Sequence, residues 1–347
     1  MDRCELLRKV GSLQQTAYIR PLTYSEGRSA GLRTYEVKND GLYFKVLADK
    51  CLDIGELSYR GVNFSFLSKP GLQGRNHYDT NGEEALRSIM GGMFFTAGLE
   101  NICAPYKDYP MHGRIRTTPA EHLCSDAVWE GSDYVMRVSG EMREAELFGE
   151  NLILRRRIET RLGEKSLTVA DEIENQGFCA QPLMILYHIN IGYPLLDQGT
   201  ELLVPTRSVI PRDKASAGHE DRWNVMDAPK DNEPEYVFIH DMVRDRNGCG
   251  VACVINPKLA LGLKITFSGD HLPYFMEWKS TASGDYVLGL EPANASVYGR
   301  AFHEKENSLH RLDPFAVEQN KLIFTVLDGK EEIDAARAEI MKIKNHA

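Results

Sequence analysis

Long apolar runs are missing from this chain. No stretch approaches the roughly 18 consecutive apolar residues that a membrane-crossing helix needs. The opening residues, MDRCELLRKVGSLQQ, have neither the apolar core nor the small-residue cleavage site of a secretory signal. A cytoplasmic protein that stays out of the membrane is therefore expected. A basic stripe is missing too: the formal net charge is −9 and the pI about 5.7. Binding to nucleic acid or to an anionic membrane needs clustered Lys and Arg, so neither is an expected partner. The seven cysteines, at 4, 51, 103, 124, 179, 249 and 253, form an odd, scattered set. Cys249 and Cys253 stand four apart, but no second pair or nearby His completes a zinc pattern. Buried free thiols in a reducing compartment are expected, with no metal site. There is no Gly-rich phosphate loop, dinucleotide fingerprint, Gly-x-Ser-x-Gly elbow or 20–50-residue repeat.

What the chain does have is strand pattern. Of 347 residues, 42% are apolar and 26% charged, which suits a sizeable core and argues against disorder. The stretches 41–47, 134–140, 151–160, 166–175, 250–256, 259–268, 285–291 and 321–327 are β-rich, several with two-residue alternation. Asn39-Asp40-Gly41, Leu162-Gly163-Glu164, Asn175-Gln176-Gly177 and Asp328-Gly329 punctuate them as turns. In LILRRRIET, Leu154, Arg156 and Ile158 alternate with Arg155, Arg157 and Glu159, and the charge predicts a solvated sheet face. Asp49 and Asp53 are expected to serve a turn and a sheet edge. Residues 331–344 predict a helix, with Ile333, Ala336, Ile340 and Ile343 at helical spacing, acids early and lysines late. A short helix is a second expectation near residues 2–15, and the polar segment 212–235 predicts a long excursion. The fold class that results is all-β: one large antiparallel β-sandwich domain over residues 1–347. An N-terminal extension (1–30) and a C-terminal helix (331–347) flank it.

Three stretches could carry chemistry. In ILYHINIGYPLLD (185–197), written as a strand, Ile185, Tyr187, Ile189 and Ile191 share one face, and Leu186, His188 and Asn190 the other. A histidine and an asparagine on one face of so apolar a strand are either satisfied core groups or working groups in a cleft. In YPMHGRIRTTPAEH (109–122), His112 and Arg114 sit in a loop or strand start and could point the same way. In DYVLGLE (285–291), Val287, Gly289 and Glu291 share a face; Gly289 removes bulk beside Glu291, and Pro292 ends the strand. Two His and one carboxylate suit proton transfer on a polar neutral substrate. Two-carboxylate glycoside hydrolysis and metal catalysis fit this set less well.

Five blocks in order, GGMFFTAGLEN (91–101), MHGRIRTTPAE (111–121), LYHINIGYPLLD (186–197), LPYFMEWK (272–279) and YVLGLEP (286–292), resemble the aldose 1-epimerase, or galactose mutarotase-like, superfamily. The resemblance runs from about residue 45 to 315 and is closest to the superfamily's domain-of-unknown-function branch. It implies a β-supersandwich and an isomerase that interconverts the α and β anomers of a free reducing sugar or sugar derivative. By that resemblance Glu291 matches the base that takes the anomeric hydroxyl proton. His188 matches the acid that protonates the ring oxygen, and His112 the earlier His-Gly histidine that assists and binds. The pattern departs around His188, where Tyr187 precedes it and Asn190 follows two later, and no Asn-Arg segment before His112 is evident. The sugar preference therefore does not transfer.

Substrate-binding candidates are Arg114, Asn190, Lys279, Trp278 and Asn101. Trp278 could pack on a sugar ring face, although Trp278 and Lys279, adjacent on a strand, face opposite ways. No cofactor is implied; the expected partner is a small sugar, and a homodimer stays open. Two alternatives remain at this point: a non-catalytic carbohydrate-binding or sensing protein, and a sugar isomerase or epimerase acting at another carbon.

Overall fold

In the computed structural model, residues 3–74 and 82–345 are described. Two large antiparallel sheets face one another. The first is 11-stranded, ordered Ala17–Thr23, Arg33–Asn39, Leu42–Leu47, Asp53–Tyr59, Phe94–Leu99, Met184–Ile191, Asp285–Ala293, Tyr274–Ala282, Glu235–Met242 and Thr206–Pro211, with Val62–Asn63 paired to Asp53–Tyr59. The second is 8-stranded, ordered Glu201–Leu203, Gly250–Asn256, Leu261–Phe267, Val317–Asp328, Ser166–Asn175, Asn151–Arg161, Asp133–Ala145 and Glu121–Glu130. The fold is a large β-sandwich with few helices. The C-terminal one, Lys330–Asn345, packs Ile333, Ala336, Ile340 and Ile343 against Val251, Cys253 and Ile255 of the second sheet. A short helix at Arg3–Leu7 fulfils the N-terminal expectation.

The strands form where alternation predicted them, because each has one face to bury. Ser166–Asn175 buries every second residue. Met184–Ile191 is different: all eight residues are buried. Ile185, Tyr187, Ile189 and Ile191 join the core between the sheets, and Leu186 joins a second apolar cluster with Phe95, Ala97, Met276 and Ala293 on the opposite face. That second face of the first sheet is covered by loops, and His188 and Asn190 point into it.

Three expectations need correction. Arg156 is not solvated: it is fully buried on the same face as Leu154 and Ile158, while Arg155 and Arg157 face outward. Asp53 is not at an edge: it is buried against Arg156, 2.7 Å away, whereas Asp49 binds Arg33 through its backbone N–H and guanidinium. All seven cysteines are free, but only Cys51 and Cys253 are buried.

Candidate functional site

Strand register assembles the site from neighbouring rows of the first sheet. His188 pairs across the ladder with Phe95, and their rings stack at 4.6 Å. On its other side Ile189 pairs with Leu290 and Asn190 with Gly289, which brings Glu291 alongside His188. His188 Nε2 and Glu291 Oε1 lie 3.2 Å apart, both nearly enclosed. The next row runs Asn190, Gly289, Trp278. Gly289 leaves that row open: a Cβ there would lie 3.0 Å from the Trp278 Cβ and 3.3 Å from Glu291 Oε1. The indole of Trp278 meets the His188 ring edge-to-face at 5.3 Å.

His112 reaches this face from a loop. Its backbone takes a positive φ of 61°, with Gly113 at 71°. Its N–H donates to the Cys103 carbonyl, and its own carbonyl accepts from the Gly98 N–H. These bonds dock the turn on the Phe94–Leu99 strand and set the imidazole against Phe95 and His188, each at 5.5 Å.

Burial governs the electrostatics. It pushes the Glu291 carboxyl up to about 8; the Glu235 carboxylate adds to the rise and the Arg212 guanidinium opposes it. Burial lowers His188 to about 4, partly offset by Asn190, and holds His112 well below the ordinary histidine value, helped by His188 and Arg116. Loss of water disfavours both charged forms, so the His188–Glu291 pair retains a single proton over a broad range near neutrality. Nδ1 of His112, Nδ1 of His188 and Oδ1 of Asn190 are buried without hydrogen-bond partners. Unpaired buried polar atoms are costly and here converge on one face, which fits a site completed by a polar ligand.

The other predicted residues divide. Asn190 shares the face of His188, its amide donating to the Gly92 and His188 carbonyls. Asn101 staples the His112 loop, donating to the Ala104 and Pro110 carbonyls, while its Oδ1 stays unpartnered. Arg114 does not follow His112 into the site. The positive-φ turn at 112–113 breaks the expected extended alternation, and its guanidinium binds Glu100 at 3.3 Å and the Asp108 carbonyl at 2.7 Å. Lys279 lies on the opposite face of its strand from Trp278. Its ammonium donates to the carbonyls of Arg222 and Val225, at 2.6 and 2.7 Å, so it is a tether for the 212–235 excursion and not a sugar ligand.

Phe95, Arg212 and Glu235 were missed as single residues. Phe95 lies in the GGMFFTAGLEN block, but only the strand register shows that it stacks on His188. Arg212 and Glu235 bracket the polar excursion, and nothing in their local sequence marks them. Among the described residues, no three His, Cys, Asp or Glu side chains are grouped to hold a metal ion.

No curated protein matches the chain. Solved structures do. A Klebsiella pneumoniae protein provisionally named an aldose 1-epimerase shares 23% identity over 99% of this chain and 91% of its own, with a TM-score of 0.89. A galactose mutarotase-like protein of Clostridium acetobutylicum shares 13% over 90% and 99%, at a TM-score of 0.60. The galactose 1-epimerase of Lactobacillus acidophilus shares 15% over 91% and 100%, at 0.57. At these identities the likeness is one of fold. A sequence family described as a domain of unknown function, DUF4432, matches residues 29–326, and the chain belongs to that family.

Proposed function

We propose that the protein interconverts the anomers of a free reducing sugar, with His188 and Glu291 as the acid–base pair. The observation that carries this reading is their 3.2 Å approach, nearly enclosed, on the outer face of the first sheet. The fold neighbours named aldose 1-epimerase and galactose 1-epimerase support it.

The chemistry follows from one shared proton. Opening a pyranose takes the proton from the C1 hydroxyl and gives one to the ring oxygen. One member of the pair accepts while the other donates, so the pair begins and ends with a single proton. With Glu291 at the hydroxyl and His188 at the ring oxygen, the ring opens to the aldehyde. Rotation about C1–C2 presents its other face, and the reverse transfers close the other anomer. Near neutrality these shifts leave the single proton on Glu291, so it must first pass to His188 across the 3.2 Å approach; the carboxylate can then take the C1 hydroxyl proton and the imidazolium can protonate the ring oxygen. His112, kept neutral by burial, hydrogen-bonds to the sugar without adding charge. Trp278 offers an apolar face to the ring.

Exchange between anomers, followed by NMR across a panel of reducing sugars, tests the reading. The wild type should accelerate exchange for at least one sugar. Glu291→Gln should reduce that acceleration by about 10²–10⁴-fold, the usual contribution of a positioned acid–base group. Acceleration that survives in Glu291→Gln would remove Glu291 as the base. Binding without any acceleration would make this a carbohydrate-binding protein.

A further inference from the structure

We infer that Glu235, Arg212 and Trp278 form a clamp that recognises the hydroxyls on the side of the sugar ring away from C1, and so sets which sugar is accepted. This rests on the anomer-exchange reading above. The three residues come from distant parts of the chain: the end of the Thr206–Pro211 strand, the start of Glu235–Met242, and the middle of Tyr274–Ala282. The Trp278 indole N–H donates to Glu235 Oε2 at 2.8 Å. Glu235 Oε1 accepts from Arg212 Nη2 at 3.0 Å, and Arg212 Nε donates to Asp213 at 2.7 Å. The Arg212 backbone N–H donates to the Val237 carbonyl, which anchors that residue's main chain at the sheet edge. The side chains of Arg212 and Glu235 keep 30% and 50% of their exposure, so they form the rim and not the floor of the site.

Two features suit this rim to a sugar. The first is unused hydrogen-bonding capacity. A carboxylate offers about four acceptor positions and an arginine five donors. Glu235 uses one position on each oxygen here, and Arg212 Nη1 makes no hydrogen bond among the described residues. A free acceptor beside a free donor matches two neighbouring hydroxyls, each of which both donates and accepts. Arg212 is already matched by two carboxylates, so the rim favours neutral hydroxyls over an anionic substituent. The second feature is spacing. Trp278 touches His188 with its ring and Glu235 with its N–H, so one indole separates the reacting pair from the clamp. An indole's length between them leaves room for a pyranose whose C1 hydroxyl meets the reacting pair and whose C3 and C4 hydroxyls reach Glu235 and Arg212, with the ring lying along the indole.

The experiment measures anomer exchange of D-glucose and its C2, C3 and C4 epimers (mannose, allose and galactose) by wild type, Glu235→Ala, Glu235→Gln and Arg212→Met. The expected result is a KM raised about tenfold or more for the preferred sugar, with a smaller fall in kcat. Discrimination between C3 and C4 epimers should shrink, while discrimination at C2 is retained. A purely structural role would lower the rate for all four sugars by one common factor, and that result, or unchanged KM and epimer ratios, overturns the clamp. If the wild type exchanges none of the four, the exchange reading loses its support for these sugars, and saturation-transfer NMR on the same panel decides the clamp separately. Wild-type binding that is lost in Glu235→Ala upholds it; wild-type binding that survives the substitution, or none at all, overturns it.

Discussion

At the scale of the residue, Glu291 links activity to stability through one proton. Two transitions bound the working range, near 4 where His188 also gains a proton and near 8 where the pair loses its last one. The pH profile of kcat/KM should therefore be bell-shaped, with its limbs close to those values. The sign for stability follows from the same shift. The folded carboxyl holds its proton up to about 8, whereas in the unfolded chain it ionises near the ordinary value of 4.5. The contribution of Glu291 to stability is thus fully present below about 4.5 and declines as pH rises to about 8, by at most about 1.4 kcal/mol per pH unit. His188 acts in the opposite sense: its folded value is depressed, so its contribution is lost as pH falls from 6.5 toward 4. Glu291→Gln should consequently be more stable than wild type at pH 8 and nearly equal to it at pH 4.5, while losing activity at both. Denaturant unfolding at the two pH values measures this. Equal shifts at both would show that the carboxyl titrates normally in the folded state.

At the scale of the element, strands position the reacting pair and one turn adds His112. Gly113 permits that turn, since a Cβ there would lie 2.1 Å from the Gly98 carbonyl oxygen and 2.6 Å from that of Asn101, at a φ of 71°. Gly113→Ala must push the loop off the Phe94–Leu99 strand. It should cost about 2 kcal/mol or more and lower kcat/KM, because His112 moves with the loop. Gly163, at a φ of 80° with nothing near its absent Cβ, is the control. Its alanine variant carries backbone strain alone and should leave kcat/KM unchanged. Similar effects of the two substitutions on kcat/KM would break the link between the turn and the site. The same contrast explains what the sequence revealed. Two-residue alternation was enough to place His188, Asn190 and Glu291 on strand faces, and Gly289 beside Glu291, because a strand has only two faces. Arg114 was misplaced because a positive-φ turn follows no such period. Lys279 was correctly set on the opposite face from Trp278, but only the tertiary path of the 212–235 excursion supplies the carbonyls that claim it. Phe95, Arg212 and Glu235 act through register and long-range contact, which no local pattern encodes.

At the scale of the whole molecule, the two sheets are joined directly beneath the site by one buried cation. Arg156 uses all five of its donors: two bonds to Asp171, one to Asp53, one to the Cys51 carbonyl and one to Thr96. Asp53 in turn accepts from the backbone N–H and hydroxyl of Thr96, and Asp171 accepts from the Tyr187 hydroxyl. Arg156 and Asp171 belong to the second sheet; Asp53, Thr96 and Tyr187 belong to the first. Tyr187 is the residue before His188, so one strand carries the core network on one face and the candidate acid on the other. The alternation in LILRRRIET put Arg156 on the apolar face with Leu154 and Ile158, yet charge suggested solvent. The deciding factor was a partner 15 residues away in sequence and another more than 100 away, invisible to local composition. Removing only the cation leaves two carboxylates buried without a counter-charge, which costs about 3–5 kcal/mol, whereas removing all three charges together can be close to neutral. Arg156→Leu should therefore be strongly destabilised, and Asp53→Leu with Asp171→Leu in the same chain should recover much of the loss. Burial already raises Asp53 to about 6 with Arg156 in place, and without the guanidinium its proton affinity climbs further. The deficit of Arg156→Leu should accordingly be larger at pH 8 than at pH 5, where the stranded Asp53 carboxylate is relieved by protonation. A deficit of equal size at both pH values, unmoved by the added leucines, would mean that Arg156 joins the sheets by packing and not by charge.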